Sequence, residues 1–319
     1  MERSIVVSLG GNAILPANEA GTIDKQILVT QGTLRQIVDL VRDHRVLVTH
    51  GNGPIVGNIL IRNEAARDQV APMPLDVCGA DSQGGIGYMI QQTLQNLLQE
   101  ARLDRKVATV ITQIVVDGSD PAFDSPTKPI GPFYTERKAK EMAKLKGWEV
   151  AQDAGRGWRR VVPSPAPKRI VELPLIRSLH EAGHVVIASG GGGIPVVEAS
   201  NGALRGVEAV IDKDLTAVLL ALALNAEILL TVTAIDAVAL DFGKPTQRWI
   251  DALSLAEARR HLEEGQFPAG SMGPKIEAAI WFLEQGGKGV CVSSPAKIRE
   301  ALRGHAGTWI TKDGKPITA

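Results

Sequence analysis

Short runs of apolar, mostly β-branched residues alternate along this chain with longer stretches whose apolar positions return every three or four residues. Ile5-Val6-Val7-Ser8-Leu9 is the first short run, and Gly10-Gly11 closes it. It predicts a buried strand entering a tight turn. Ile23, Ile27, Leu34, Ile37, Val38 and Val41 follow at helical spacing behind Thr22, a capping residue type. Residues 46–49 predict the next strand, ending at Gly51-Asn52-Gly53-Pro54. A helix is expected over 82–100 and a strand over 107–116. The rhythm resumes with a strand over 184–189, closed by the glycines 190–193. A helix over 212–226, a strand within 227–235, a helix over 274–285 and a strand over 289–292 follow. A last helix begins near Pro295, and 308–310 adds a final strand. Strand alternating with helix implies a mostly parallel sheet covered on both faces.

Residues 118–167 break this alternation. They hold Pro121, Pro126, Pro129, Pro132, Pro163, Pro165 and Pro167, together with Phe123, Phe133, Trp148 and Trp158. The aromatics give the segment something to bury, so it is expected to be an inserted lid and not a disordered linker. The longest apolar stretch, 215–232, is interrupted by Asn225 and Glu227 and reads as a buried helix followed by a strand, not a membrane span.

Composition narrows the chemistry. The 319 residues are 44% hydrophobic, and 35 lysines and arginines balance 35 aspartates and glutamates. That balance argues against nucleic acid held by bulk charge. Cys78 and Cys291 both lie in apolar surroundings with no CxxC or Cys/His cluster, so reduced, buried thiols of a cytoplasmic protein are expected, with no protein-held metal. The opening residues carry no charged-then-apolar signal pattern.

Ligands of parallel α/β sheets bind beyond the carboxyl ends of the strands. Three glycine turns fall there: Gly10-Gly11-Asn12, Gly51-Asn52-Gly53 and 190–193. Singly, each reads as a tight turn. Together at one sheet edge they point to an anion site, since glycine lets backbone N–H groups approach a ligand. There is no GxxxxGK[ST], and the 51–57 spacing is one residue too long for the dinucleotide fingerprint. Lys213, between Asp212 and Asp214, and Lys275, after Pro274, fall in first turns of expected helices. A cation there opposes the helix dipole unless an anion sits beside it. On this ground Lys213 reads as functional, with Asp212 as a helix cap. Lys275 divides evenly between anion ligand and solvated lysine. Lys128, between prolines, reads on composition as an exposed loop lysine, and His50 as structural.

These segments resemble carbamate kinases, of the amino-acid kinase fold. The resemblance is carried by Ser8-Leu9-Gly10-Gly11-Asn12-Ala13, Gly51-Asn52-Gly53-Pro54, Asp76-Val77-Cys78-Gly79-Ala80, Asp120-Pro121-Ala122-Phe123 and Thr127-Lys128-Pro129-Ile130-Gly131. It continues through Gly157-Trp158-Arg159-Arg160, Val210-Ile211-Asp212-Lys213-Asp214 and Gly270-Ser271-Met272-Gly273-Pro274-Lys275, in the family's order over nearly the whole chain. It implies a three-layer α/β/α sandwich spanning 1–319, with 118–167 as a protruding subdomain. It implies reversible phosphoryl transfer between carbamoyl phosphate and ADP, yielding ATP and carbamate, with Mg²⁺ accompanying the nucleotide, and a homodimer. It assigns Lys128, Lys213, Asp214 and Lys275 to catalysis. Gly10, Gly11, Asn12, Gly51, Asn52 and Gly53 would surround the phosphoryl group and small substrate, and Lys213, Lys275, Gly270 and Met272 the nucleotide. Ser8-Leu9 stands where many relatives of the wider fold carry a lysine. Ala234, Ala239 and Ile55 depart from the family pattern, the first two on the expected nucleotide side. Rival readings are a kinase of the same fold acting on an acylated or free amino acid, and a catalytically silent sensor.

Overall fold

The computed structural model describes residues 2–15, 21–153, 157–268 and 270–317. The main sheet has eight strands: β1 (Ser4–Leu9), β2 (Arg45–His50), β3 (Val107–Val110), β9 (Val185–Ala188), β12 (Ile228–Val232), β15 (Ala252–Ser254), β16 (Gly289–Ser293) and β17 (Thr308–Thr311). Their order is β15-β17-β16-β12-β1-β2-β9-β3. Pairing is parallel except between β16 and β17, whose reversal turns β15 with it.

Side-chain alternation in β1 divides the core. Val6 faces one apolar cluster, with Leu47, Leu229 and Val290. Helices α5 (Leu173–Glu181), α6 (Lys213–Ala223), α7 (Leu255–Glu263) and α8 (Gly273–Glu284) cover that face. Ile5, Val7 and Leu9 face a second cluster under α1 (Ile23–Asp43), α3 (Leu75–Glu100) and α9 (Ile298–Leu302). A strand buried on both faces reads as an apolar run, which is why β1 and β12 are mostly hydrophobic. Thr22 caps α1 by accepting from the Lys25 N–H.

The expected strand over 107–116 is two strands in different sheets. After β3 the chain leaves the main sheet at Ile111-Thr112 and enters β4 (Gln113–Val116). Gln83 makes the break possible. Its amide oxygen accepts from the Thr112 N–H at 2.8 Å, and its amide nitrogen donates at 3.2 Å to the Thr112 carbonyl, which also accepts from the Ile194 N–H at 2.9 Å. β-branched residues run unbroken through the switch, so their pattern hides it. The helix expected from residue 82 begins seven residues earlier, at Leu75 after Pro74. Glycines 79, 84, 85 and 87 mask its first half.

β4 lies in a second sheet ordered β11-β10-β4-β8, formed with β8 (Pro167–Ile170), β10 (Ile194–Glu198) and β11 (Leu204–Gly206). Between β4 and β8 the chain builds β5 (Lys128–Tyr134), α4 (Glu136–Lys146), β6 (Glu149–Gln152) and β7 (Trp158–Val162), with the strands ordered β5-β7-β6; residues 154–156 lie outside those described. Asp120 ties the two stalks of this unit, accepting from the N–H groups of Ala122 and Ala166. Its aromatics do not form an apolar core. Lys146 and Arg160 both sit over the Trp148 ring, at 4.9 and 5.1 Å, and Arg159 stacks on Phe133, leaving Ile130, Ala139, Met142, Val161 and Val162 as the buried residues. The hairpin β13 (Val238–Leu240) and β14 (Arg248–Ile250) leaves the sheet after β12. The two free cysteines, Cys78 and Cys291, are buried. Among the described residues no helix is long and apolar enough to cross a membrane.

Candidate active site

The C-terminal ends of β1, β2 and β9 open into a cleft of about 860 Å³. Four longer helices begin at its wall: α2 (Gly53–Ala66), α3, α6 and α8. Their free N–H groups and dipoles make the cleft electropositive before any side chain is counted. Gly11, Asn12, Gly51, Asn52 and Gly53 line it. Gly10 turns the chain out of β1, donating its N–H to the Val232 carbonyl at 2.8 Å. At Gly51 a side chain would be crowded, because a Cβ there would stand 3.1 Å from the Gly11 amide nitrogen. The two turns are packed backbone to backbone, which crowds their peptide dipoles at one place. The third turn, 190–192, is entered through Ser189 in the left-handed region at φ 53°, a costly conformation for a residue with a side chain. Thr112 and Thr49 hold it there: Thr112 Oγ1 accepts from the Ser189 N–H, and the Thr49 hydroxyl donates to its carbonyl.

Lys213 and Lys275 converge on one carboxylate. Lys213 Nζ donates to Asp214 Oδ1 at 2.8 Å and Lys275 Nζ to Oδ2 at 2.8 Å. Lys213 also donates to Ser8 Oγ at 2.9 Å. Asp214 is 6% exposed, so little water screens the trio. Burial pushes the Asp214 carboxyl up, but the two ammonium groups and their hydrogen bonds more than reverse this and hold it well below the usual carboxylate range. Burial pulls the Lys213 ammonium below the usual lysine range; Asp214 opposes the shift and Lys275 adds to it. One carboxylate facing two lysines leaves an excess positive charge in a largely desolvated corner, where an anion is the missing partner.

Lys128 is not an exposed loop lysine. It begins β5, and its Nζ donates to Asp212 Oδ2 at 2.7 Å across the cleft. Asp212 does cap α6 as expected, its Oδ1 accepting from the Asp214 N–H at 2.8 Å. One carboxylate therefore both starts the helix that carries Lys213 and holds the lysine of the 128–162 unit. Gly270 lines the cleft. The Met272 side chain does not: it is 9% exposed and packed in the apolar core, so only its backbone is available to a nucleotide. His50 is structural, 1% exposed beneath the 190–192 turn, with burial lowering its pKa to about 4. Among the described residues no group of three or more His, Cys, Asp or Glu is placed to hold a metal.

Ser8 and Arg159 fall in the stretches that carry the family resemblance but were given no role in the site, and Ser82 and Asp153 carried no functional reading at all. Asp153 and Arg159 line the cleft and pair with each other at 3.0 Å. Ser8 did carry a signal, as a hydroxyl set between apolar neighbours in a fully buried strand.

Fold and cleft together define a small-molecule kinase built without a Walker loop, and the chain belongs to the amino acid kinase family, whose model matches residues 3–294. Carbamate kinases of Pyrococcus horikoshii and Thermococcus kodakarensis are 49% and 48% identical to it, each alignment covering 98% of this chain and 100% of the relative. The solved carbamate kinase of Giardia lamblia bound to AMP-PNP superimposes with a TM-score of 0.90 at 42% identity, covering 97% of this chain and 98% of that one.

Proposed function

We propose that the protein is a carbamate kinase, catalysing reversible phosphoryl transfer between carbamoyl phosphate and ADP. The observation that carries the reading is the Lys213–Asp214–Lys275 trio at the mouths of helix N-termini, in a chain alike over its full length to carbamate kinases. In the ATP-forming direction a terminal oxygen of the ADP β-phosphate attacks phosphorus. The bond from phosphorus to the carbamoyl oxygen breaks, and carbamate leaves with that electron pair. Charge spreads over the phosphoryl oxygens in flight, so positioning and positive charge are what the protein must supply. Lys213 and Lys275 supply charge to those oxygens, Asp214 holds both lysines in place, and the glycine turns supply backbone donors.

Mg²⁺ is expected to travel on the nucleotide phosphates and to add further positive charge there. The cleft carboxylates Asp212 and Asp214 are both engaged by lysines, which fits an ion bound chiefly by phosphate oxygens and water. Lys128 reaches the transferred group from the 128–162 unit, which acts as a lid excluding water from a labile acyl phosphate. The missing side chains at Ala234, exposed after β12, and Ala239, buried opposite Trp249, make a weak or permissive nucleotide site the expectation. The family resemblance further suggests a cytoplasmic homodimer. Purified protein with Mg²⁺, ADP scanned into the millimolar range and carbamoyl phosphate should form ATP. Phosphorylation of acetylglutamate, aspartate or glutamate in its place would move the reading to another kinase of this fold.

A further inference from the structure

Asn52 opens α2 without capping it, since its side chain accepts no helix N–H. The amide points elsewhere: Nδ2 donates to Ser82 Oγ at 2.7 Å. Ser82 Oγ in turn lies 2.7 Å from the Gly79 carbonyl. A hydroxyl has a single hydrogen and a carbonyl can only accept, so the Ser82 proton is committed to Gly79. Towards Asn52 the same oxygen can then act only as an acceptor. That fixes the amide, whose two ends are otherwise interchangeable, with its NH₂ on Ser82 and its oxygen turned away. Ser82 is 1% exposed on α3, so water does not compete for this arrangement. Gly191 closes the other side, where a Cβ would stand 2.1 Å from Asn52 Nδ2 and 2.7 Å from Oδ1; only glycine lets the amide lie against the turn. Asn52 lines the cleft beside Gly51 and Lys213.

The electrostatics of the cleft give this acceptor a purpose. Lysines and helix N–H groups are all donors, suited to phosphate and carboxylate oxygens. A carbamoyl group also carries an NH₂, which needs an acceptor, and an acetyl group of the same shape does not. We propose that Ser82 is a positioning residue that makes Asn52 an obligate acceptor, and that Asn52 Oδ1 selects substrates bearing N–H on the acyl-phosphate carbon. An acceptor that bound substrate shields from water, left unpaired by the wrong substrate, is the strong form of discrimination. This rests on the carbamoyl phosphate reading above.

The test compares kcat/KM for carbamoyl phosphate with the Ki of acetyl phosphate as a competing ligand. Ser82→Ala introduces a good helix former inside α3 and retains the fold. Freed to turn over, the Asn52 amide then offers NH₂ to the substrate for most of the time. The expected result is a fall of about tenfold in kcat/KM for carbamoyl phosphate, with the acetyl phosphate Ki moving by less than about twofold. Ser82→Thr, which keeps the hydroxyl, should recover most of the loss. An equal loss on both ligands, or an unchanged ratio, overturns the role of Ser82 while leaving the activity standing. Failure of the wild-type protein to use carbamoyl phosphate overturns the parent reading and this inference with it.

Discussion

Asp214 neutralises two lysines that would otherwise repel each other in a nearly dry corner of the cleft. Replacing it by asparagine keeps the shape and removes the charge. Leaving ammonium groups buried without their partner should lower stability by about 3 kcal/mol, read from urea unfolding. Because the lesion is excess positive charge, ADP or inorganic phosphate should restore a large part of that loss in Asp214→Asn, and much less of it in a destabilised core variant such as Leu229→Ala. Equal rescue of both variants would show Asp214 to be an ordinary packing residue. At this scale the sequence was informative about types and silent about partners. Asp212-Lys213-Asp214 reads as a helix start with an unusual cation. Nothing local says that Asp214 also meets Lys275, 61 positions on, or that Lys213 meets Ser8, 205 positions back. Composition alone misjudged Lys128 for the same reason, its partner Asp212 being 84 residues away, whereas the resemblance had assigned it to the site.

At the level of elements, helix starts and glycine turns were legible because their chemistry is local: the cap at Thr22, the cap at Asp212, the proline at the start of α8. The switch from β3 to β4 was not, since it depends on a glutamine of α3 pairing with the Thr112 backbone. The 128–162 unit meets the rest of the chain through an apolar cluster, Ile130 and Val162 against Leu60, Leu75 and Val210, and through ion pairs at two kinds of place. Within the cleft Lys128 meets Asp212; outside it Arg160 meets Glu208 at 2.6 Å and Lys146 meets Glu64. The cleft contact is the one a substrate phosphate can replace. Lys128→Ala should therefore raise KM for carbamoyl phosphate by about tenfold or more, while stability changes by no more than about 1 kcal/mol, the pair being partly exposed. A variant that melts early but keeps normal kinetics would make Lys128 a structural residue and remove the basis for a closing lid.

The whole molecule combines zero formal net charge with an electropositive cleft, so its anion site depends on placement and not on bulk charge. Its layered α/β order was readable from the alternation of strand and helix patterns, whereas the second sheet was not, because its short strands carry no distinctive period. Two buried histidines set an acid limit on stability. His50 and His180 are each lowered to about 4, both chiefly by burial, against an ordinary value of 6.5. Unfolding lets them take up protons they refuse when folded. Stability is therefore whole above pH 6.5 and is lost as pH falls from there towards 4. The urea midpoint should decline between pH 6.5 and 5, less steeply in His180→Asn, and a flat midpoint over that range would contradict the burial assignment. The claim that binds these scales together is that Lys213, held by Asp214 and Ser8, stabilises a phosphoryl group passing between carbamoyl phosphate and ADP. Its most direct test is the initial rate of ATP formation from those substrates with Mg²⁺, in wild type and in folded Lys213→Ala. Wild type should form ATP, and the variant should lose roughly 10²–10³ in kcat with a smaller change in the ADP KM. Undiminished kcat in Lys213→Ala, or a wild-type protein that forms no ATP at any ADP concentration, would contradict it.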